Sequence, residues 1–228
     1  MFFNPLYLAL TIPPLILSLW AQYKVKSTFA KFSQVGVSSR MTGAEAAAAI
    51  LRASGLDGLR VERHEGFLSD HYDPRSRTLR LSPDVYDGRS VSSVAVAAHE
   101  AGHSLQHAAN YAPLSLRSTL VPAVQIGSAL WYLPFVMGLW FQMAQLMWVG
   151  VVCFAAVVLF QLVTLPTEFD ASNRARAMLV SAGIVRNETE EAGVAKVLNA
   201  AAMTYVAALI AAVAQLVYMI LRAQERRD

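Results

Sequence analysis

The sequence is poor in charge and in cysteine. Asp, Glu, Lys and Arg make up 15% of its 228 residues, against about a quarter in soluble domains. Its single cysteine, Cys153, lies in an apolar run, so an intrachain disulfide is excluded. Neither an internal repeat nor a low-complexity linker is present. Residues 120–166 lack any charged side chain, which argues against a transporter or metal carrier, whose path needs ionisable groups within the spans. What is abundant is apolar. Hydrophobic residues reach 55%, and mean hydropathy is +0.40. This composition fits a small domain joined to membrane helices. The net charge is +3. Its basic residues flank the apolar runs, which points to membrane orientation and away from a nucleic-acid partner.

Four apolar segments stand out. Residues 4–22 carry no charge and are just long enough to span a bilayer. Pro13 and Pro14 are expected to kink this helix. It lacks a basic n-region and a small-x-small cleavage site before Lys24, so it reads as an uncleaved anchor and not as a signal peptide. Residues 120–166 are too long for one span. They divide into 121–141 and 147–165 around a tip at Gln142 to Gln145, with Pro122, Pro134 and Gly138 bending the first. Residues 197–221 form the fourth segment. Trp131, Trp140, Trp148 and Tyr132 fall near predicted span ends, as interfacial anchors do. Lys and Arg number twelve in 23–120, four in 167–196 and three in the tail. The positive-inside rule places the first two groups in the cytoplasm. The basic tail then ends outside, against the rule, so three to four segments cross.

The polar stretches carry local signals. Thr42 and Glu45 make a capping box before AAAAILRASG, with Gly55 as the stop. Residues 59–67 and 77–82 alternate like strands, as a small β-hairpin or as neighbours, with a turn at Asp73-Pro74. Ser90 or Ser92 caps a helix running to about Ala109.

That helix carries His99-Glu100-Ala101-Gly102-His103. Histidines four apart share one helical face, so both imidazoles can bind one ion. Glu100 stands one position round. It is placed to take a proton from a water held at the ion. Ala101 and Gly102 are small and admit a close neighbour behind the ligands.

A catalytic zinc wants three protein ligands and an open position. No third histidine follows at the metzincin spacing. His107 lies about 12 Å along the helix from His99 at ~1.5 Å per residue, too far to grip the same ion, so it is read as an outer or helix-end residue. The other source is Glu168. Pro166 is expected to end the span and Thr167 to cap a new helix. Two crossings of the hairpin bring Glu168 back to the side of His99 and His103. The competing reading makes Glu168 and Asp170 partners of a helix N-terminus, with Thr167 and Asp170 as a capping box. Asp170 can pair with Arg174 or orient a ligand histidine.

Asp70 to Pro74, Leu81-Ser82, Ala98 to His103 with Gln106-His107, and Pro166 to Ala175 together resemble the YugP-like family of bacterial membrane zinc metallopeptidases. The resemblance covers about residues 60–205. It implies a zinc-dependent peptidase and leaves the substrate open. The arrangement is also similar to gluzincin membrane proteases of the heat-shock type, where a downstream glutamate completes the zinc site, which supports Glu168. Those proteases carry an acidic residue four positions later, where this chain has Ser172. Zincins also pair an extended substrate with an edge strand beside the metal helix. Residues 77–82 are the candidate edge, with a plain structural hairpin as the alternative. His64, His71, Tyr72, Tyr111 and Arg174 are chemically able to support the oxyanion.

The expectation is a mainly α membrane protein, with a zincin-like HExxH helix, a small β-hairpin or sheet, and three to four transmembrane helices. Its pieces are an anchor (1–22), a cytoplasmic zincin-like portion (23–119), a transmembrane hairpin (120–166), a cytoplasmic helix with the third ligand (167–196) and a last helix with a basic tail (197–228). Zn2+ is held by His99, His103 and Glu168, and Glu100 is catalytic. The protein is expected in the bacterial inner (cell) membrane with its site on the cytoplasmic side. There it would cleave membrane or membrane-proximal proteins. The alternative is a non-catalytic membrane adaptor or assembly factor with structural zinc, which has no need of Glu100.

Overall fold

The computed structural model describes residues 4–66 and 69–225. The ends of the predicted pieces at 1–3, 67–68 and 226–228 lie outside them. Helix α1 (Pro5–Ser33) runs through Pro13 and Pro14. The Ser18 hydroxyl donates to the Pro14 carbonyl at 2.8 Å. Helix α2 (Gly43–Ala53) starts on the predicted capping box. Glu45 N donates to Thr42 Oγ1 at 3.1 Å, and Thr42 N to Glu45 Oε2 at 2.7 Å. It stops where Gly55 takes φ +70°, a conformation that suits glycine.

Three short strands follow: β1 (Arg60–Arg63), β2 (His71–Asp73) and β3 (Thr78–Leu81), in the order β1-β3-β2. The two predicted strands do pair, but in parallel, with Val61 opposite Leu79. The hairpin is made instead by β2 and β3, with Tyr72 opposite Leu79. Leu79 and Leu81 are fully buried. Helix α3 (Pro83–Tyr86) is a single turn leading into α4 (Val91–Ala108).

The remaining chain is helical: α5 (Ala112–Leu130), α6 (Tyr132–Phe141), α7 (Ala144–Ser181) and α8 (Glu188–Gln224). The break between α5 and α6 falls at Trp131. Pro134 has no N–H for the carbonyl of Leu130, as an interior proline must leave one unmet. Gln142, at φ 58°, closes α6 and sits in the predicted tip.

One expectation fails here. Pro166 does not end a helix, because α7 carries it inside and continues to Ser181. A long helix packed on both sides of a proline survives the loss of one hydrogen bond, so no new cap forms at Thr167. Helix α8 also begins earlier than the apolar run at 197. Its first turn holds Glu188, Glu190 and Glu191, which favour the positive end of the helix dipole. Glu190 N donates to Asn187 Oδ1 at 2.9 Å as the cap.

Residues 5–33, 112–141, 144–181 and 188–224 are long and apolar enough to cross a membrane. The protein is therefore a mainly α membrane protein with a small three-stranded sheet. The chain divides into two compact units. The first comprises Met1–Gln22, Ala112–Pro166 and Thr204–Asp228; the second comprises Tyr23–Tyr111 and Thr167–Met203. The first has a core of Phe135, Met147, Val151, Phe154, Val158 and Met219. Its exposed side chains include Leu133, Trp140 and Val152. The second packs Ile50 and Leu51, Leu79 and Leu81, Val94 and Ala98, Leu179 and Leu198 into one core.

Candidate metal centre

Helix α4 begins at Ser90, whose Oγ accepts from Ser93 N at 3.1 Å. Thirteen of its 18 residues are buried, so it meets protein on nearly every side. Its small side chains (alanine, serine and glycine beside valine) permit that. Helix α7 comes close at Gly102, where a Cβ would stand 2.6 Å from the carbonyl oxygen of Ala171. Any larger residue would push α7 away. Glu168 lies about one turn before Ala171 on that helix, so the contact delivers it to the two histidines.

His99 Nε2 lies 3.1 Å from Glu168 Oε2, and His103 Nε2 lies 3.6 Å from the same oxygen. The two imidazole rings are 4.8 Å apart and nearly perpendicular. One ligand atom from each of the three residues falls within 4.8 Å of the others. Ligand atoms around a tetrahedral zinc, at about 2.0–2.2 Å from the ion, stand roughly 3.3 Å apart. The two distances from the histidines to Glu168 match that spacing. Two imidazole nitrogens and a carboxylate are also a donor set that zinc accepts. The Glu168 side chain is 2% exposed, and a carboxylate so deeply buried needs positive partners. Burial alone would lower the His103 imidazole. The Glu168 hydrogen bond and the charges of Glu100 and Glu168 outweigh it and raise the pKa.

Glu100 is buried beside this cluster. Its Oε2 accepts from the backbone N–H of Tyr72 on β2 at 3.0 Å.

The chain matches the family described as "Putative neutral zinc metallopeptidase" over residues 7–224. It belongs to this family. It is 48% identical over 223 residues to the "Putative membrane protease YugP" of Bacillus subtilis (strain 168), covering 98% of this chain and 99% of that protein. No solved structure matches it. The cofactor of a neutral zinc metallopeptidase is zinc, and the His99, His103 and Glu168 donors fit it.

In this member of the family the surrounding shell differs in part from what its sequence suggests. The ring nitrogen of His99 remote from Glu168, Nδ1, lies 3.2 Å from Ser172 Oγ. The position that is acidic in heat-shock-type proteases is thus filled by a hydroxyl that still meets the histidine. Asp170 pairs with Arg174, Nε to Oδ2 at 2.6 Å. It does not touch a histidine directly. Gln106 stands between, with Nε2 2.8 Å from Asp170 Oδ2 and Oε1 2.9 Å from His103 Nδ1. The role of Gln106 escapes sequence reasoning, since a glutamine three residues past a ligand has many uses on a helix. Its spacing of one turn from His103 and its place in the stretch that carries the family resemblance are the signals.

His107 stays out of the cluster, and its Nδ1 lies 2.9 Å from the Tyr72 hydroxyl. Arg174 lies over the Tyr111 ring at 5.7 Å. His64 and His71 pack edge to face at 5.5 Å. Asp70 accepts from Ser82 N at 2.7 Å and from its hydroxyl; burial pushes its carboxyl up against those bonds. The candidate substrate edge is also corrected. Residues 77–82 contain β3, which is the central strand and has both neighbours in place. A central strand has no open row of backbone groups to offer.

Proposed function

We propose that this protein is a membrane-embedded zinc endopeptidase in which Glu100 activates the hydrolytic water. His99, His103 and Glu168 hold the metal. The observation that carries the reading is the convergence of both Nε2 atoms on the one Glu168 oxygen, with Glu100 fixed beside them. Zinc, when bound, supplies a Lewis acid and brings the pKa of water toward neutrality. Glu100 is held by one oxygen on Tyr72 N, which sets its direction and leaves the other for proton exchange. It takes the proton of the attacking water and returns it to the departing amide nitrogen. The low exposure of Glu100 and Glu168 keeps bulk water from screening these charges.

The substrates proposed are membrane proteins or chain segments close to the bilayer. That fits the four apolar helices, and the relative's name supports it. The site faces the cytoplasm of the bacterial cell membrane, on the evidence of the Lys and Arg concentrated in 23–120 and 167–196. The anchor, hairpin and return-helix division at 22, 119, 166 and 196 belongs to the same proposal.

The test is metal content and casein hydrolysis of the full chain in detergent, with Glu168→Ala beside the wild type. The wild type should hold about one zinc per chain. Glu168→Ala should lose more than about 100-fold in zinc affinity, beyond the range of an outer-shell change, and hydrolysis with it. An unchanged zinc content in Glu168→Ala would remove Glu168 from the ligand set.

A further inference from the structure

We infer that Gln106 and Asp170 act together as positioning residues that lock His103 in the tautomer a metal ligand needs. The inference rests on the metal-site reading above. Gln106 is fully buried. Its Nε2 lies 2.7 Å from the carbonyl oxygen of Thr167 and 2.8 Å from Asp170 Oδ2. A backbone carbonyl and an ionised carboxylate only accept hydrogen bonds. Arg174 donates to the same Oδ2, so that oxygen serves as an acceptor. The amide NH2 must therefore face these two oxygens, which settles an orientation that hydrogen-bond networks alone decide. The amide oxygen is left facing His103 Nδ1 at 2.9 Å. An amide oxygen also only accepts, so Nδ1 carries the hydrogen. His103 Nε2, the atom nearest Glu168, is then the ring nitrogen that gives up its hydrogen when a metal binds.

His99 is not held in this way. Its Nδ1 meets Ser172 Oγ at 3.2 Å, and a hydroxyl donates or accepts as its hydrogen turns. The two histidines of the motif are thus unequal. His103 is preset before metal arrives, and His99 adjusts. The presetting comes from α7, the helix that also provides Glu168, so one element supplies the third ligand and orients the second.

The experiment uses the full chain in detergent, with zinc Kd from chelator competition and the His103 tautomer from 15N-histidine NMR of metal-free protein. Gln106→Met keeps the volume and removes the hydrogen bond. It should weaken zinc binding about 10–100-fold, and more than Ser172→Ala does. Asp170→Asn frees the Gln106 amide to turn, so metal-free His103 should lose part of the Nδ1–H signal that the wild type shows in full. A folded Gln106→Met with the wild-type Kd, or a Ser172→Ala that loses as much affinity, overturns the inference. If Gln106→Met does not fold, an Asp170→Asn spectrum with an undiminished Nδ1–H signal overturns it. If the wild type binds no zinc at all, the metal-site reading fails, and the metal-free spectra still decide the tautomer lock.

Discussion

Helices α4 and α5 differ by one residue in length, 18 against 19, yet thirteen residues of α4 are buried and Gly127 is the one buried residue of α5. The two belong to different units, and the units are held together differently. In the first, apolar side chains such as Leu133 and Ile16 stay exposed, as suits a lipid environment. There association depends on close packing at small residues. A Cβ at Gly150 would stand 2.7 Å from the Phe135 Cβ and 2.8 Å from the Trp131 carbonyl. In the second unit, a close approach at Gly102 is combined with a hydrogen-bonded shell around the histidines. Apolar content alone therefore does not distinguish a span from a core helix. The size of the residues and the polar chemistry among them do.

Substitutions at the two close approaches should separate these modes. Gly102→Leu drives a side chain into the Ala171 carbonyl. It should cost about 1–3 kcal/mol of stability and move Glu168 from the histidines, so that zinc content and melting temperature fall together. Gly150→Leu should cost a similar or smaller amount for the same steric reason, but keep the wild-type zinc Kd, because every hydrogen bond described at the site comes from the second unit. Equal zinc loss in both variants would mean that the contrast between the units is wrong.

The smallest effect concerns the β2–β3 turn. Asp73 accepts from the Ser76 hydroxyl at 2.7 Å, from Arg75 N at 2.9 Å and from Arg80 at 3.2 Å. These bonds lower its carboxyl to about 2. A depressed carboxylate stabilises the turn above its unfolded pKa of roughly 3.9, and that contribution fades as pH falls through about 2. A carbon-13 carboxyl titration of Asp73 should show the low midpoint, and a midpoint near 4 would deny the turn its anchor.

Much of this was legible in the sequence. The Thr42 to Glu45 box, the Ser90 cap and the four apolar segments each rest on local chemistry, and local chemistry survives folding. Glu168 was reachable because two expected crossings return the chain to the side of His99 and His103. Pairing of the strands was not, since alternation in four residues looks the same in a parallel pair and in a hairpin. Pro166 misled because a proline signals a break unless packing on both sides carries the helix through. Gln106 was hidden because its value lies in what Thr167 and Asp170, more than sixty residues away, present to it.

The central claim is that Glu100 is the base and not a structural carboxylate. Zinc content and casein hydrolysis of Glu100→Gln, measured beside the wild type in detergent, test it most directly. The account predicts the same zinc content in both and a loss of hydrolysis of at least about 100-fold in the variant. A Glu100→Gln protein that keeps its zinc and cleaves at the wild-type rate would contradict it.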